Sequence, residues 1–242
     1  MLQSGVALGV EGGRWILVNA SPDIRAQIEA FPELHPRSER DTPIAGVLLT
    51  NADLDHVLGL YMLREGGALD VFATDATREC IERHLGIGAA HRGIRWLAPP
   101  LVRMRAIPLP AAAPRYATPF AGEHSVAFEI EGEHGTLVVA PDVGEITPDL
   151  DAALHRASAV LFDGTFWSDD ELQQIEPKAR TAREMGHLPV QASLPRLAAL
   201  PARVKVFLHI NNTNPILAHS AERAAVETAG WQVGRDGFEF DV

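Results

Sequence analysis

Short apolar runs, each bounded by Gly, Pro, Asn or Asp, recur along the whole chain. Runs of this length and composition predict β-strands. They are SGVALGV, RWILVNA, IAGVLLT, VFAT, SVAFEIEG, GTLVVAP, SAVLFDG and VKVFLHI.

Segments between these runs carry apolar residues at spacings of three and four, which predicts helices. SPDIRAQIEAF starts with a serine cap and VLGLYMLREGG ends on glycines. The other helical segments are ITPDLDAALHRA, PVQASLPRLAAL and SAERAAVETAG. The stretch 105–122 holds four prolines and predicts one long loop. Strands that follow one another in some stretches and alternate with helices in others predict mixed sheets with helices outside them. We therefore expect an α/β fold in a single domain, residues 1–242.

Composition and charge narrow the classes of function. The chain has 242 residues, 46% of them hydrophobic, enough for a sizeable core. A net charge of -11 argues against binding to nucleic acid, whose partners are usually basic. No apolar stretch approaches the ~18 residues that span a bilayer, and the first residues lack a basic signal-peptide region. We expect a cytoplasmic protein with no membrane contact and a small-molecule or peptide substrate. One cysteine, Cys80, excludes a disulfide framework.

Polar residues stand where several predicted strands end. They are Asn19, the cluster NADLDH at 51–56, Asp142, Asp163 and His209. Rigid sheets place the residues at strand ends in one region, and converging carboxylates and imidazoles need a cation among them. This pattern favours a metal site, although turn formation and helix capping remain open for Asp142 and Asn19.

The remaining histidines differ in their surroundings. His187 follows a glycine in REMGHLPV, which suggests a close approach of the backbone. Six others lie in loops or on helix faces that look exposed, and we expect them at the surface: His35, His84, His91, His134, His155 and His219.

The order of these groups resembles the metallo-β-lactamase superfamily, whose main motif is H-x-H-x-D-H after a strand. Asn51, Asp53, Asp55 and His56 fall on its four positions. The third, fourth and fifth motifs fall on His124, Asp142 and His209. LFDGTFW, MGHLPV and FLHINNTNP are also similar, in that order, to motifs of the tRNA 3′-processing branch.

Five blocks in the right order resemble the pyrroloquinoline quinone biosynthesis protein B (PqqB) family more specifically: NASPDIRAQI, NADLDHVLGLYMLREG, VLFDGTFWSDDE, AREMGHLPV and HINNTNPIL. The resemblance implies an αββα sandwich, with two mixed sheets between helical layers. This chain starts at MLQSG and lacks the C-x-C-x-x-C motif and first strand of that family. We expect either a naturally short form or a trimmed start, with an exposed sheet edge that would suit a homodimer.

The resemblance also implies how the site binds metal. Asp55, His56 and His209 match the ligands of one metal position, with Asp142 as a fourth ligand or bridging carboxylate. Asn51, Asp53 and His124 match the other position, which we expect to be empty because an amide is a weak ligand. On this interpretation Asn51→His should restore a second metal. Two imidazoles and one carboxylate match non-haem Fe(II) oxygenases, so we expect Fe(II), with Zn in the purified protein as an alternative, and O₂ as co-substrate.

The function implied is coenzyme PQQ biosynthesis, through hydroxylation of the tyrosine ring in a cross-linked Glu-Tyr intermediate. Asp163 and His187 would form an acid/base pair, and Asp53 and His124 would contact the metal ligands or face the substrate. Four asparagines would bind the carboxylates or amides of this dipeptide-like substrate, or would contact the metal ligands: Asn51, Asn211, Asn212 and Asn214. Two alternatives stay open: a zinc-dependent hydrolase, which uses metal-bound water, and a non-catalytic carrier of the finished quinone.

Overall fold

The computed structural model describes residues 2–39, 41–64, 67–91, 93–98, 103–118 and 121–242. Its backbone divides into two compact units, one of residues 1–99 and 112–125 and one of residues 100–111 and 126–242. Each unit has its own buried apolar cluster. The expectation of one domain stays a prediction.

The first unit holds a five-stranded mixed sheet in the order β1-β2-β3-β4-β5. Strands β1 and β2 pair antiparallel, while β2, β3, β4 and β5 run parallel to one another. The strands are β1 Val6–Val10, β2 Arg14–Val18, β3 Ile44–Leu48, β4 Leu69–Phe72 and β5 Ile94–Leu97. Its helices are α1 Ile24–Ala30, α2 Leu54–Val57, α3 Asp75–His84 and α4 Ile87–Ala90.

The second unit is built on a six-stranded mixed sheet in the order β11-β10-β9-β8-β7-β6. Strands β8 to β11 run parallel to one another, and β7 pairs antiparallel with β8. The strands are β6 Met104–Leu109, β7 Ser125–Glu131, β8 Thr136–Ala140, β9 Ala159–Asp163, β10 Val204–Leu208 and β11 Gln232–Val233. Its helices are α5 Pro148–Arg156, α6 Val190–Ala198 and α7 Ala221–Thr228.

All eight predicted strands are present, because alternating or continuous apolar runs are buried on these sheets as expected. The predicted loop at 105–122 is wrong over its first part, since β6 covers Met104–Leu109. Pro108 is compatible with β6 because this strand lies at the edge of its sheet, where strand prolines are mostly found. Pro119, within the same prediction, lies outside the described residues.

Two further predictions need correction. The helix predicted over 57–67 is the short α2 followed by a 3₁₀ turn at Leu58–Met62, and residues 65 and 66 of that prediction lie outside the described residues. The predicted serine cap of α1 is also wrong, because Asp23 occupies the N-cap position. Ser21 Oγ instead accepts a hydrogen bond from the backbone N–H of Asp23.

None of the helices that the structure describes is long and apolar enough to cross a membrane.

Candidate metal centre

His56 is buried in the first unit, and two oxygen atoms hold its ring. The loop after β3 leads into α2 and carries Asn51 and Thr50 beside it. His56 Nδ1 lies 2.9 Å from Asn51 Oδ1 and 3.2 Å from Thr50 Oγ1. Its other nitrogen, Nε2, is 3.8 Å from Asp55 Oδ2. A ring nitrogen and a carboxylate, both of which are metal donors, are therefore neighbours at the start of α2.

Asn19 ties the end of β2 to this loop. It adopts a left-handed backbone, φ 64°, which asparagine tolerates better than most residues. Its Oδ1 accepts a hydrogen bond from the Thr50 backbone N–H at 2.9 Å, and its Nδ2 donates to Thr50 Oγ1 at 3.0 Å. The structure therefore gives Asn19 a role that the sequence did not suggest, bracing of the His56 loop.

Asp53 and His124 also belong to the first unit. Asp53 is the half-buried residue that precedes α2, and His124 is buried directly before β7. Their roles toward a second metal or the substrate stay predictions.

A buried carboxylate, Asp163, organises the site residues of the second unit from the end of β9. Its Oδ2 accepts the Val143 backbone N–H at 2.9 Å and contacts His187 Nδ1 at 2.8 Å. Its Oδ1 accepts the backbone N–H and the hydroxyl of Thr165, at 2.9 and 2.6 Å. Four partners satisfy the carboxylate in the interior, where an unpaired charge would be very costly.

The same hydrogen bonds determine where the protons lie on two imidazoles. A carboxylate oxygen accepts, so His187 carries its hydrogen on Nδ1. The Thr165 hydroxyl donates its only hydrogen to Asp163. Its oxygen can therefore only accept a hydrogen bond from His209 Nδ1, 2.8 Å away. In both neutral rings the lone pair is therefore on Nε2, the state in which an imidazole binds a metal or takes up a proton.

Asp142 completes a compact donor group with these two histidines. Asp142, His187 and His209 each place one ligand atom within 4.8 Å of the others. The two rings stack with centroids 5.6 Å apart, and Asp142 Oδ1 is 3.7 Å from His209 Nδ1. Two imidazoles and a carboxylate are donors that suit iron or zinc, so the residues present fit a transition metal.

His209 is held in a strained backbone conformation. Its φ is 57°, a region that few residues other than glycine occupy. Such strain persists only where the surroundings enforce it, and it is found preferentially at functional sites.

The buried Glu171 braces the loop after β10. Its Oε1 accepts from Thr213 Oγ1 at 2.5 Å and its Oε2 from the Trp167 backbone N–H at 2.6 Å. Burial raises the pKa of Glu171, although these hydrogen bonds oppose the shift. The carboxylate thereby joins the loop after β9 to the loop that follows His209.

The three asparagines of this loop differ in their contacts. Asn214 is 2% exposed: its Nδ2 donates to the Gly164 carbonyl and its Oδ1 accepts the Ile216 N–H. That geometry supports a structural role. Asn212 is exposed and Asn211 is half-buried, with its Nδ2 donating to Thr213 Oγ1. Substrate binding by all three stays a prediction.

The pKa values of Asp163 and His187 move in opposite directions. Burial raises the pKa of Asp163, but the charge and hydrogen bond of His187, with His209 and Thr165, lower it more. Burial lowers the pKa of His187, but the Asp163 carboxylate raises it more. These shifts are those of a buried ion pair.

The structure separates the site residues predicted from the sequence into two sets. Asn51, Asp53, Asp55, His56 and His124 belong to the first unit, and the remainder belong to the second. The prediction that Asp55 and His56 share a metal with Asp142 and His209 stays a prediction.

Sequence reasoning missed Thr165, Thr50 and Glu171, which hold the histidines or their loops. Thr165 follows Asp163 by two positions in DGTF, a spacing at which a hydroxyl can reach a carboxylate, and this signal was available.

The surface prediction is correct for five of the six histidines and wrong for His91. That ring is 5% exposed, and its Nε2 donates to the Leu63 carbonyl at 2.8 Å.

Comparisons of the sequence with a family model and with known proteins agree on one superfamily. Residues 14–210 match the model of the beta-lactamase superfamily domain. The chain is 41% identical to coenzyme PQQ synthesis protein B of Pseudomonas aeruginosa (strain LESB58), over 99% of this chain and 88% of the relative. It is 38% identical to the protein of that name from Ruegeria pomeroyi, over 98% and 87%.

A solved structure, Zn²⁺-bound PqqB from Methylobacterium extorquens, superposes with a TM-score of 0.88 at 35% identity, covering 99% of this chain and 87% of that one. The fold is thus the α/β metallo-β-lactamase fold, with two mixed sheets. The chain belongs to the coenzyme PQQ synthesis protein B family of the metallo-β-lactamase superfamily.

Proposed function

We propose that the protein acts in coenzyme PQQ synthesis as a metal-dependent enzyme that hydroxylates the tyrosine ring of a cross-linked Glu-Tyr intermediate. Membership in the PQQ synthesis protein B family supports the role in this synthesis. The observation that carries the metal-dependent chemistry is that Asp142 and His209 each place a ligand atom within 4.8 Å of the other, with a nitrogen of His187 equally close to both.

Asp142 and His209 are proposed as ligands, together with Asp55 and His56 as the sequence predicts. Thr165 holds His209 with its hydrogen on Nδ1, so Nε2 offers the lone pair. A bound ferrous ion would supply the activation of O₂. The donors are two imidazoles and carboxylates, a set that leaves positions open for O₂ and substrate.

His187 is proposed as the acid/base group. Asp163 accepts its Nδ1 hydrogen at 2.8 Å and orients the ring, so that Nε2 takes the proton released from the substrate and returns it. A C–H bond of the ring breaks and a C–O bond forms with one oxygen atom of O₂. The other oxygen leaves as water, with two electrons from an external reductant of the ascorbate class and two protons.

The second candidate is a zinc-dependent hydrolase. Its support is the zinc ion named for the M. extorquens relative. In that case the residues would activate water rather than O₂.

The test uses iron-loaded protein with the cross-linked dipeptide, ascorbate and ¹⁸O₂, with oxygen uptake and product mass as readouts. We expect uptake that depends on the dipeptide, and one ¹⁸O atom in the product. Incubation without the dipeptide corrects for oxidation of ascorbate alone. Cleavage of the dipeptide without oxygen would favour the hydrolase, and tight binding of the quinone with no turnover would favour a carrier.

A further inference from the structure

We infer that Asn51 is a positioning residue, which holds His56 as the tautomer that binds a metal through Nε2. The inference rests on the proposed function, because it concerns one of the ligands proposed there. It assigns to Asn51 a task different from that of the histidine at this position of the superfamily motif.

The orientation of the Asn51 amide is determined by a backbone group. The Asp53 N–H lies 2.9 Å from the side-chain oxygen of Asn51, and a backbone N–H can only donate. The atom facing Asp53 is therefore Oδ1 and not Nδ2. This contact is a turn in which an asparagine side chain accepts from the residue two positions ahead, a common local arrangement.

That same oxygen determines the proton position on His56. Asn51 Oδ1 is 2.9 Å from His56 Nδ1, and a carbonyl oxygen only accepts, so Nδ1 must carry the hydrogen. Thr50 Oγ1, 3.2 Å from Nδ1, offers that hydrogen a second acceptor. Asn19 holds Thr50 in place through two hydrogen bonds. The lone pair of the neutral ring is then on Nε2, the nitrogen 3.8 Å from Asp55 Oδ2.

Burial of both side chains increases the effect of losing the hydrogen bond between Asn51 and His56. Asn51 and His56 are 4% and 1% exposed. Water therefore has little access to replace a lost acceptor at Nδ1, and a buried N–H group left without an acceptor is unfavourable. Partners that orient a histidine ligand typically change metal affinity about 10- to 100-fold when removed.

The first experiment measures the tautomer directly in the metal-free protein. Long-range ¹H–¹⁵N spectra distinguish a ring with its hydrogen on Nδ1 from one with it on Nε2, and the His56→Ala variant identifies the His56 signals. We expect the Nδ1–H form in the unmodified protein. A His56 ring with its hydrogen on Nε2 would overturn the inference, whatever reaction the enzyme catalyses.

The second experiment measures zinc affinity by competition with a chromophoric chelator. Asn51→Ala should weaken binding about 10- to 100-fold. Asn51→Asp should restore it, because a carboxylate also accepts from both N–H groups. Gln191→Ala, an exposed amide on α6, is the matched control and should bind as the unmodified protein does. Unchanged affinity in Asn51→Ala would contradict the inference. If that variant fails to fold, Asn51→Asp and the tautomer measurement still decide.

Asn51→His separates this inference from the expectation drawn from the superfamily motif. If Asn51 positions His56, the new imidazole removes the acceptor and zinc binding weakens. A gain from one to two equivalents of tightly bound zinc would overturn the positioning role. Neither readout needs iron, oxygen or turnover, so a failure of the proposed hydroxylation leaves this test interpretable.

Discussion

At the scale of residues, neighbouring histidines in the second unit have different supports. His187 is bound directly to the buried Asp163 carboxylate, whereas His209 reaches the same carboxylate through the Thr165 hydroxyl. A carboxylate in direct hydrogen-bond contact stabilises the charged imidazolium more than a neutral hydroxyl does, and the Asp142 carboxylate is 3.7 Å from His209 Nδ1, beyond hydrogen-bond distance. This difference suits His187 to carry a proton and His209 to bind the metal.

We therefore predict different losses on substitution. His187→Ala should keep about one equivalent of metal but lose turnover by about 10²- to 10⁴-fold, the usual contribution of a general acid or base. His209→Ala should lose the metal. Elemental analysis after dialysis, paired with turnover, checks both variants against the unmodified protein. Loss of metal from His187→Ala would make His187 a ligand instead.

At the scale of elements, the turn after α2 packs against the segment that follows β2. The Gly59 N–H donates to the Ala20 carbonyl at 2.9 Å, and the Ala20 N–H donates to the His56 carbonyl at 2.7 Å. A Cβ at position 59 would lie 2.3 Å from the Ser21 carbonyl oxygen, a distance that backbone atoms cannot accommodate without moving. The absence of a side chain therefore allows the close approach that supports the backbone of His56.

Gly59→Ala should accordingly destabilise the protein by about 1–3 kcal/mol, as overpacking of an interior does. It should also weaken zinc binding, because the backbone of His56 moves with the turn. The matched control is Gly9→Ala in β1, where the new Cβ would make an ordinary contact of 3.4 Å with the Trp15 ring. Urea unfolding and chelator competition measure the two effects. Equal stability and equal zinc affinity of the two variants would show that the backbone around position 59 accommodates the added methyl group.

At the scale of the whole molecule, the chain carries a net charge of -11, yet it buries the Asp163 carboxylate completely. The carboxylate is stable there because four hydrogen bonds, one of them from the His187 ring, satisfy it. Its pKa in the folded protein lies below the ordinary aspartate value of 3.8. Its ionised form therefore stabilises the folded state.

Acid should remove this contribution. The stabilisation is fully present above pH 3.8 and is lost as the pH falls from there through the folded pKa, because the unfolded chain takes up the proton first. Asp163→Asn should unfold more easily near pH 6, by on the order of 2–3 kcal/mol, since an amide leaves a buried donor unpaired. The difference from the unmodified protein should shrink toward pH 3.

Urea unfolding of the metal-free protein at several pH values measures this dependence. Asp41→Asn, at an exposed position, is the control and should differ little from the unmodified protein at any pH. A constant difference for Asp163→Asn down to pH 3 would show that Asp163 is not the group that titrates.

The apolar pattern by itself determined the eight predicted strands, because burial on a sheet requires the same alternating or continuous apolar residues wherever the strand lies. It did not reveal β5, β6 or β11. β6 contains Pro108, which argues against a strand unless the strand is known to lie at an edge, and β11 has two residues. Strand ends and motif order likewise identified His56, Asp142, Asp163, His187 and His209 as site candidates.

What those residues contact was decided only by the tertiary structure. The hydrogen bond from His209 to Thr165 joins residues 44 positions apart, and that from Asn19 to Thr50 joins residues 31 apart. No local pattern encodes such pairs, because they depend on which strands become neighbours. His91 likewise was predicted at the surface, because only the fold brings the Leu63 carbonyl to its ring. Asn51, placed by sequence on an empty metal pocket, proved to accept from His56, because folding brings a fixed carbonyl oxygen to that ring.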